Sequence, residues 1–387
     1  MESLPTMKRA LIACDKFKGS LSAIEACTAV QHGLGSLWQG DLCPIADGGE
    51  GFVDTMIAAM QGVKVTAPSH DALGREISAE YGIVQREGNT IAVIEMAAAS
   101  GMWRIDSLER DVMRSSTFGT GELMRHAIEE HRVDQIIVGL GGSATNDGGT
   151  GMAAALGVRF LDVKDHLLDP VPESLHRVAR VDFSQRIALP SVQVACDVEN
   201  PLCGERGASA VYGPQKGASP SQVEELDRWL SHLTQVTDAE VHAHIPGAGA
   251  AGGLGFGLLT FAGAHLMSGF SMVAEVCDLP QRIAAADLVI TGEGSLDAQS
   301  LSGKGPIGIA RLCRELGVPC VAVAGACSEE ITTSGLFHYT ISLSSLGLPL
   351  SETMARAVEL LENEVYQARE QWRLIAGKST SRIDSGS

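Results

Sequence analysis

At 387 residues the chain is long for a single core, and two domains are the natural expectation. A formal net charge of −18 argues against nucleic acid and anionic membrane surfaces as partners, so an anionic substrate needs a locally basic cleft. Hydrophobic residues make up 45% of the chain and aromatics only 4%, with 44 glycines, which describes an α/β enzyme with aliphatic cores.

The nine cysteines are scattered and odd in number, with no Cys-x-x-Cys pair and no zinc spacing, and read as reduced core residues of a cytoplasmic protein. No signal peptide or membrane-length apolar run is visible. Lys8 to Cys14 is a short apolar strand that runs into Asp15-Lys-Phe-Lys-Gly-Ser20, and Ser22-x-x-Glu25 forms a capping box for the helix that follows. A second strand, Asp41 to Ala46, closes on Asp47-Gly-Gly-Glu-Gly51 and a helix to Met60. In an open parallel sheet, loops at the carboxyl ends of strands line the ligand crevice, so Lys18, Asp47 and Glu50 are expected to face one cleft. A solvated turn is the plain alternative for each. From Gly62 to Met96 the pattern alternates, predicting antiparallel strands with turns at His70–Gly74 and Glu87–Asn89. Ser115-Ser-Thr-Phe-Gly-Thr-Gly121 then opens a helix through His131, with its hydroxyls read as caps.

The apolar run Gln135-Ile-Ile-Val138 leads straight into Gly139-Leu-Gly-Gly-Ser-Ala-Thr-Asn-Asp-Gly-Gly-Thr-Gly151. Its glycines allow successive N–H groups to point into one concavity, a nest for phosphate, with the dipole of a helix starting near Thr150 added to it. Gly139-x-Gly141-x-x-Ala144 also fits a dinucleotide fingerprint, with Asp162 near the place of the ribose-binding acid. That reading requires the last small residue to lie inside the helix, and Thr145 to Gly149 keep the loop open instead. Val192 to Cys196 is another strand that ends in polar residues, here Asp197-Val-Glu-Asn200. A long amphipathic helix follows from about Gln222 to His242. Pro246-Gly-Ala-Gly-Ala-Ala-Gly-Gly-Leu-Gly255 allows either tight helix packing or backbone approach to a ligand. Ala286 to Thr291 restores the parallel-strand signature and ends in Gly-Glu-Gly-Ser-Leu-Asp297, with Lys304 just before a helix. Strands at Val318–Gly325 and His338–Leu343 and a helix from Ser351 to about Ile375 complete the chain.

The economical architecture is α/β, a doubly wound parallel-sheet, Rossmann-like domain made of residues 1–62 and 283–376, with residues 63–282 inserted as a mixed α/β domain, the active-site cleft between them, and residues 377–387 a disordered tail. A kinase must cradle phosphates, hold Mg²⁺ on carboxylates, neutralise the transferring group and take a proton from the acceptor hydroxyl, and the chain offers residues for all four tasks. Ala298 stands where a P-loop ending in Gly303-Lys304 needs glycine, and protein-kinase signatures are missing.

The chain closely resembles the bacterial type I glycerate kinases. The resemblance spans nearly its whole length through Phe17–Ala23, Ala46–Gly51, Gly139–Gly149, Ala195–Val198, Gly213–Ala218, Gly247–Gly255 and Asp287–Gly294. It implies ATP-dependent phosphorylation of D-glycerate, with 2-phosphoglycerate as the usual product, in a two-domain α/β fold. Where family members often read Asp-Ser-Phe-Lys-Gly, this chain has Asp15-Lys16-Phe17-Lys18-Gly19, a cation in place of a hydroxyl.

Position along the chain places ATP phosphates on Gly141, Gly142, Ser143, Ala144 and Thr145, with Asn146 and Gly148 in the same site. It places Mg²⁺ on Asp47 and Asp297, charge neutralisation on Lys18 and Lys304, and the base on Asp197, with Asp147 and Glu293 as competitors. Lys16, Lys18, Arg75 and Lys216 are the candidates for the glycerate carboxylate. Two other classes stand beside this reading, a non-catalytic nucleotide-binding sensor and an NAD-dependent hydroxyacid dehydrogenase. Oligomeric state is open, a homo-oligomer included.

Overall fold

The computed structural model describes residues 7–46, 51–297 and 305–380. Its strands are β1 (Lys8–Cys14), β2 (Trp38–Leu42), β3 (Val63–His70), β4 (Glu76–Arg86), β5 (Asn89–Glu95), β6 (Gln135–Gly139), β7 (Arg159–Leu161), β8 (Arg180–Asp182), β9 (Ser191–Ala195), β10 (His265–Met267), β11 (Leu288–Leu296), β12 (Cys320–Cys327) and β13 (Thr340–Ser342). The chain forms two compact units, Met1–Asp47 with Phe270–Ser387, and Gly48–Gly269.

The first unit is built on a parallel sheet in the order β13-β12-β11-β1-β2. The order reverses between β1 and β11, which makes the sheet doubly wound with its switch point at those two carboxyl ends. Both faces are covered, as a continuously apolar parallel strand demands. On β12, Val321 and Val323 pack with the helices Ala23–Leu34 and Ala357–Thr380, while Ala322 and Ala324 pack with Ile307 of the helix Pro306–Leu316. The Ser22–Glu25 capping box forms, each residue satisfying the other's backbone amide. The second strand begins three residues earlier than expected, and Cys43 and Ile45 still bond to β1 through the carbonyls of Ile12 and Cys14. The last helix continues to Thr380, past Gly377 where the tail was expected to begin, and 381–387 lie outside the described residues.

The second unit holds a mixed sheet in the order β10-β9-β6-β5-β4-β3. The expected antiparallel part is β3-β4-β5, and β5, β6, β9 and β10 run parallel. The helix Phe52–Met60, expected with the first unit, packs on β4 and β5 because Gly82 leaves room there for Ile57. A further apolar cluster joins the β7-β8 hairpin to the helices Pro220–Val236 and Ala250–Ala262. Among the described residues no helix is long and apolar enough to cross a membrane.

Candidate active site

Parallel pairing sets which loops can meet. Gly139 lies opposite Glu95 on one side and Ala195 on the other, so the chain leaves β5, β6 and β9 at one edge of the second unit's sheet. The glycine loop, Asp197 and the segment 96–104 therefore gather there. After Gly139 the loop turns to run beside that segment. The Met102 amide donates to the Gly142 carbonyl at 2.9 Å, and the Ala144 amide to the Ser100 carbonyl at 2.9 Å. Between those bonds the amides of Gly141, Gly142 and Ser143, and the Ser143 hydroxyl, meet no hydrogen-bond acceptor among the described residues. Gly142 is exposed, Gly141 half-buried and Ser143 buried, so the three consecutive donors run from the surface inward. Gly142 has φ +70°, a conformation that a β-branched residue resists.

The rest of the loop turns inward. Thr145, Asn146 and Asp147 are fully buried, and Ala144 and Gly148 are buried as well. Asn146 Nδ2 donates to Ser209 Oγ at 3.0 Å, and its buried Oδ1 has no hydrogen-bond partner among the described residues. Asp147, a competitor for the base, is a structural tie. Its carboxylate accepts from Thr117 N and Oγ1 at 2.7 Å each, Gly149 N at 3.0 Å and Gly151 N at 3.1 Å. Burial pushes its pKa up and those donors pull it down. The helix Thr150–Ala155, whose dipole was expected to add to the nest, spends its first amides on Asp147 and on Thr117 Oγ1. The hydroxyl of Thr117, read as a cap, is the other half of that tie.

Lys216 also changes role. It is 2% exposed and its Nζ donates to the Thr145 carbonyl at 2.7 Å, which leaves it unable to reach a substrate carboxylate. Burial pushes its ammonium down to about 7 against the pull of Asp147. On the loop's other side Ala251, Gly252 and Gly253 are all left-handed, with φ of 53°, 70° and 87°. A Cβ at Gly252 would overlap the Thr145 carbonyl oxygen, and Gly148 N donates to Gly252 O at 3.1 Å. Of the two readings open for residues 246–255, this is close packing of backbone, and it is the floor of the loop. Arg75 is engaged by Asp71, Glu109 and the Arg104 carbonyl at the β3-β4 turn.

Asp197 follows β9, half-buried, and accepts from Gly269 N at 3.2 Å. In the first unit, Asp15 to Lys18 leave β1 beside the end of β11. Asp15 N donates to Gly292 O at 2.8 Å and Gly294 N to Lys16 O at 3.4 Å. Lys18 is exposed at the tip of a turn closed by Phe17 and Leu21, and Asp297 stands half-buried just past β11. Both lie at the sheet's switch point. Asp47, Glu50 and Lys304 lie outside the described residues.

The dinucleotide reading meets two obstacles. Ala144 pairs with Ser100 instead of entering a helix, and Asp162 accepts from the amides of Lys164 and His166 to close its own turn.

Comparison with known proteins agrees with the kinase reading. A family model described as the glycerate kinase family matches residues 10–373. A glycerate kinase of Halalkalibacterium halodurans is 42% identical over 92% of this chain and 96% of its own length. The glycerate 2-kinase of Escherichia coli K12 is 42% identical over 85% of this chain and 87% of its own. A crystal structure from Salmonella typhimurium LT2, provisionally assigned as glycerate kinase 2, matches with a TM-score of 0.84 at 37% identity, covering 96% of this chain and 100% of that one.

Proposed function

The chain belongs to the glycerate kinase family and is an enzyme that phosphorylates glycerate, and we propose that ATP is its phosphoryl donor, Mg²⁺ its cofactor and 2-phosphoglycerate its product. The observation that carries the donor site is the run of amides from Gly141 to Ser143 with no acceptor among the described residues. They suit phosphate oxygens in the way of a backbone nest, and the Ser143 hydroxyl adds a fourth donor. Mg²⁺ asks for only one or two carboxylates beside phosphate and water, which Asp297 and Asp47 can supply, and when bound it neutralises charge on the donor. Lys18 and Lys304 stabilise the transferring group. Asp197 accepts the proton of the acceptor hydroxyl. Lys216 is held by the Thr145 carbonyl and Arg75 by Glu109, and the carboxylate of D-glycerate is assigned to Lys16 and Lys18.

Purified protein should release ADP only when Mg²⁺, ATP and D-glycerate are all present, with no change at the reduced-nicotinamide band. ADP formation indifferent to D-glycerate, or nicotinamide reduction without ADP, would sink this reading. Phosphorus NMR of the product tests the position of transfer.

Gly142→Val tests the nest. Valine at φ +70° adds strain of about 1–3 kcal/mol, relieved by turning the peptide and with it the donors on either side. A Cβ there would meet nothing closer than Ala97 Cβ at 3.4 Å, an ordinary contact, so the strain is that of the backbone. ATP affinity is expected to fall about ten-fold or more. Unchanged affinity by calorimetry in a folded variant would refute the nest.

A further inference from the structure

We propose that Trp103 is the platform on which the base of the nucleotide donor stacks, an inference that rests on the reading of Gly141 to Ser143 as the phosphate nest. Trp103 is 69% exposed, whereas Trp38 and Trp372 are buried and Trp229 is half-buried. An exposed indole is ordinarily free to turn, but this one is held in place. Its Nε1 donates to the Ala97 carbonyl at 2.9 Å, and the Arg104 guanidinium lies over the ring, 4.4 Å from its centroid. That guanidinium is itself fixed by the carbonyls of Ala98 at 2.6 Å and Ser78 at 3.2 Å. One face of the indole thus carries a cation and its edge is pinned, while at 69% exposed most of the side chain stays accessible.

Its location ties it to the nest. Met102, the residue before it, donates to Gly142 O, and Gly101 pairs with Ser143. Ala97 touches both features, bonding the indole through its carbonyl and lying 3.4 Å from the Cβ position of Gly142. A ligand with phosphates on those amides and a flat aromatic group a few bonds away would find both partners on one ridge. Nucleoside triphosphates have that form. Stacking on tryptophan accepts any base with a π-face, so the platform favours the large purines and distinguishes poorly between adenine and guanine.

The test compares ATP with inorganic tripolyphosphate, which carries the phosphates without the base. Trp103→Ala should raise the KM for ATP by about ten-fold or more, with the loss in KM rather than kcat, and Trp103→Phe should recover much of it. Inhibition by tripolyphosphate should be the same in wild type and both variants. An unchanged KM for ATP in folded Trp103→Ala, an equal loss for ATP and tripolyphosphate, or a rise confined to the KM for D-glycerate would each overturn the proposal. Gly142→Val, run in parallel, separates the two readings. If it weakens both ATP and tripolyphosphate while Trp103→Ala changes neither, the nest stands and the platform falls. If it weakens neither, the nest falls and takes the platform with it.

Discussion

Asp197→Asn is expected to lower turnover by about 10²–10⁴-fold with little change in ATP affinity, and added Mg²⁺ should not restore it. The substitution keeps size and keeps an oxygen for the Gly269 amide, so the local bond at 3.2 Å survives and the loss falls on proton transfer. A general base contributes mainly in the transition state, which is why the effect appears in kcat. Asp297→Asn provides the contrast. It removes a charge from the proposed cation site, so part of its activity should return at high Mg²⁺. Initial rates across a Mg²⁺ titration suffice. If the Asp197 variant is the one rescued, the two roles are exchanged and the base stands on the doubly wound sheet.

Lys216→Met should alter how stability depends on pH. In the folded chain burial holds the ammonium down to about 7, whereas an unfolded lysine titrates near 10.4. Between those values the unfolded chain carries a proton that the folded chain lacks, so wild-type stability rises with pH, by up to about 1.4 kcal/mol per unit. Methionine has no proton to lose, and its curve lacks that rise. The wild type should therefore gain about 2 kcal/mol on the variant from pH 6 to pH 8.5. Set against this, the variant leaves the Thr145 carbonyl without its donor, a loss of about 1–3 kcal/mol that does not depend on pH over this range. Burial also pushes the thiols of Cys14, Cys43, Cys203 and Cys320 up, which bends both curves alike at higher pH and cancels in the difference. Urea denaturation at several pH values measures it. Parallel curves would mean that Lys216 keeps an ordinary proton affinity in the folded chain.

The strands were legible because parallel strands buried on both faces are written as short apolar runs, such as Gln135-Ile-Ile-Val138, and their carboxyl ends were marked by glycine and carboxylates. What hid from the sequence was direction. Asp147 and Asp197 each follow a strand in polar company, yet one is sealed among four backbone and hydroxyl donors and the other is half-buried. Those donors include Thr117, thirty residues away, and no local pattern connects the two. Lys216 misled for the same reason, since a lysine between glycines reads as exposed until tertiary contacts bury it. Trp103 sat in a stretch without periodicity, and its meaning came from the pairing of Gly101 with Ser143.

Residues 145–149 rest on residues 251–257 with main chain against main chain, Gly252 on Thr145, Gly253 on Gly148 and Gly257 on Gly149. Side chains adapt to a new neighbour by changing rotamer, whereas two apposed backbones have no comparable freedom. Residues mounted this way are ordered when the chain folds, and they fix the end of the segment that carries the Gly141 to Ser143 donors, so less entropy remains to be lost when an anion arrives. The same stiffness prevents it from widening or narrowing for different ligands. Donors that share a triphosphate look alike to such a cradle, and discrimination among them falls to residues beyond it.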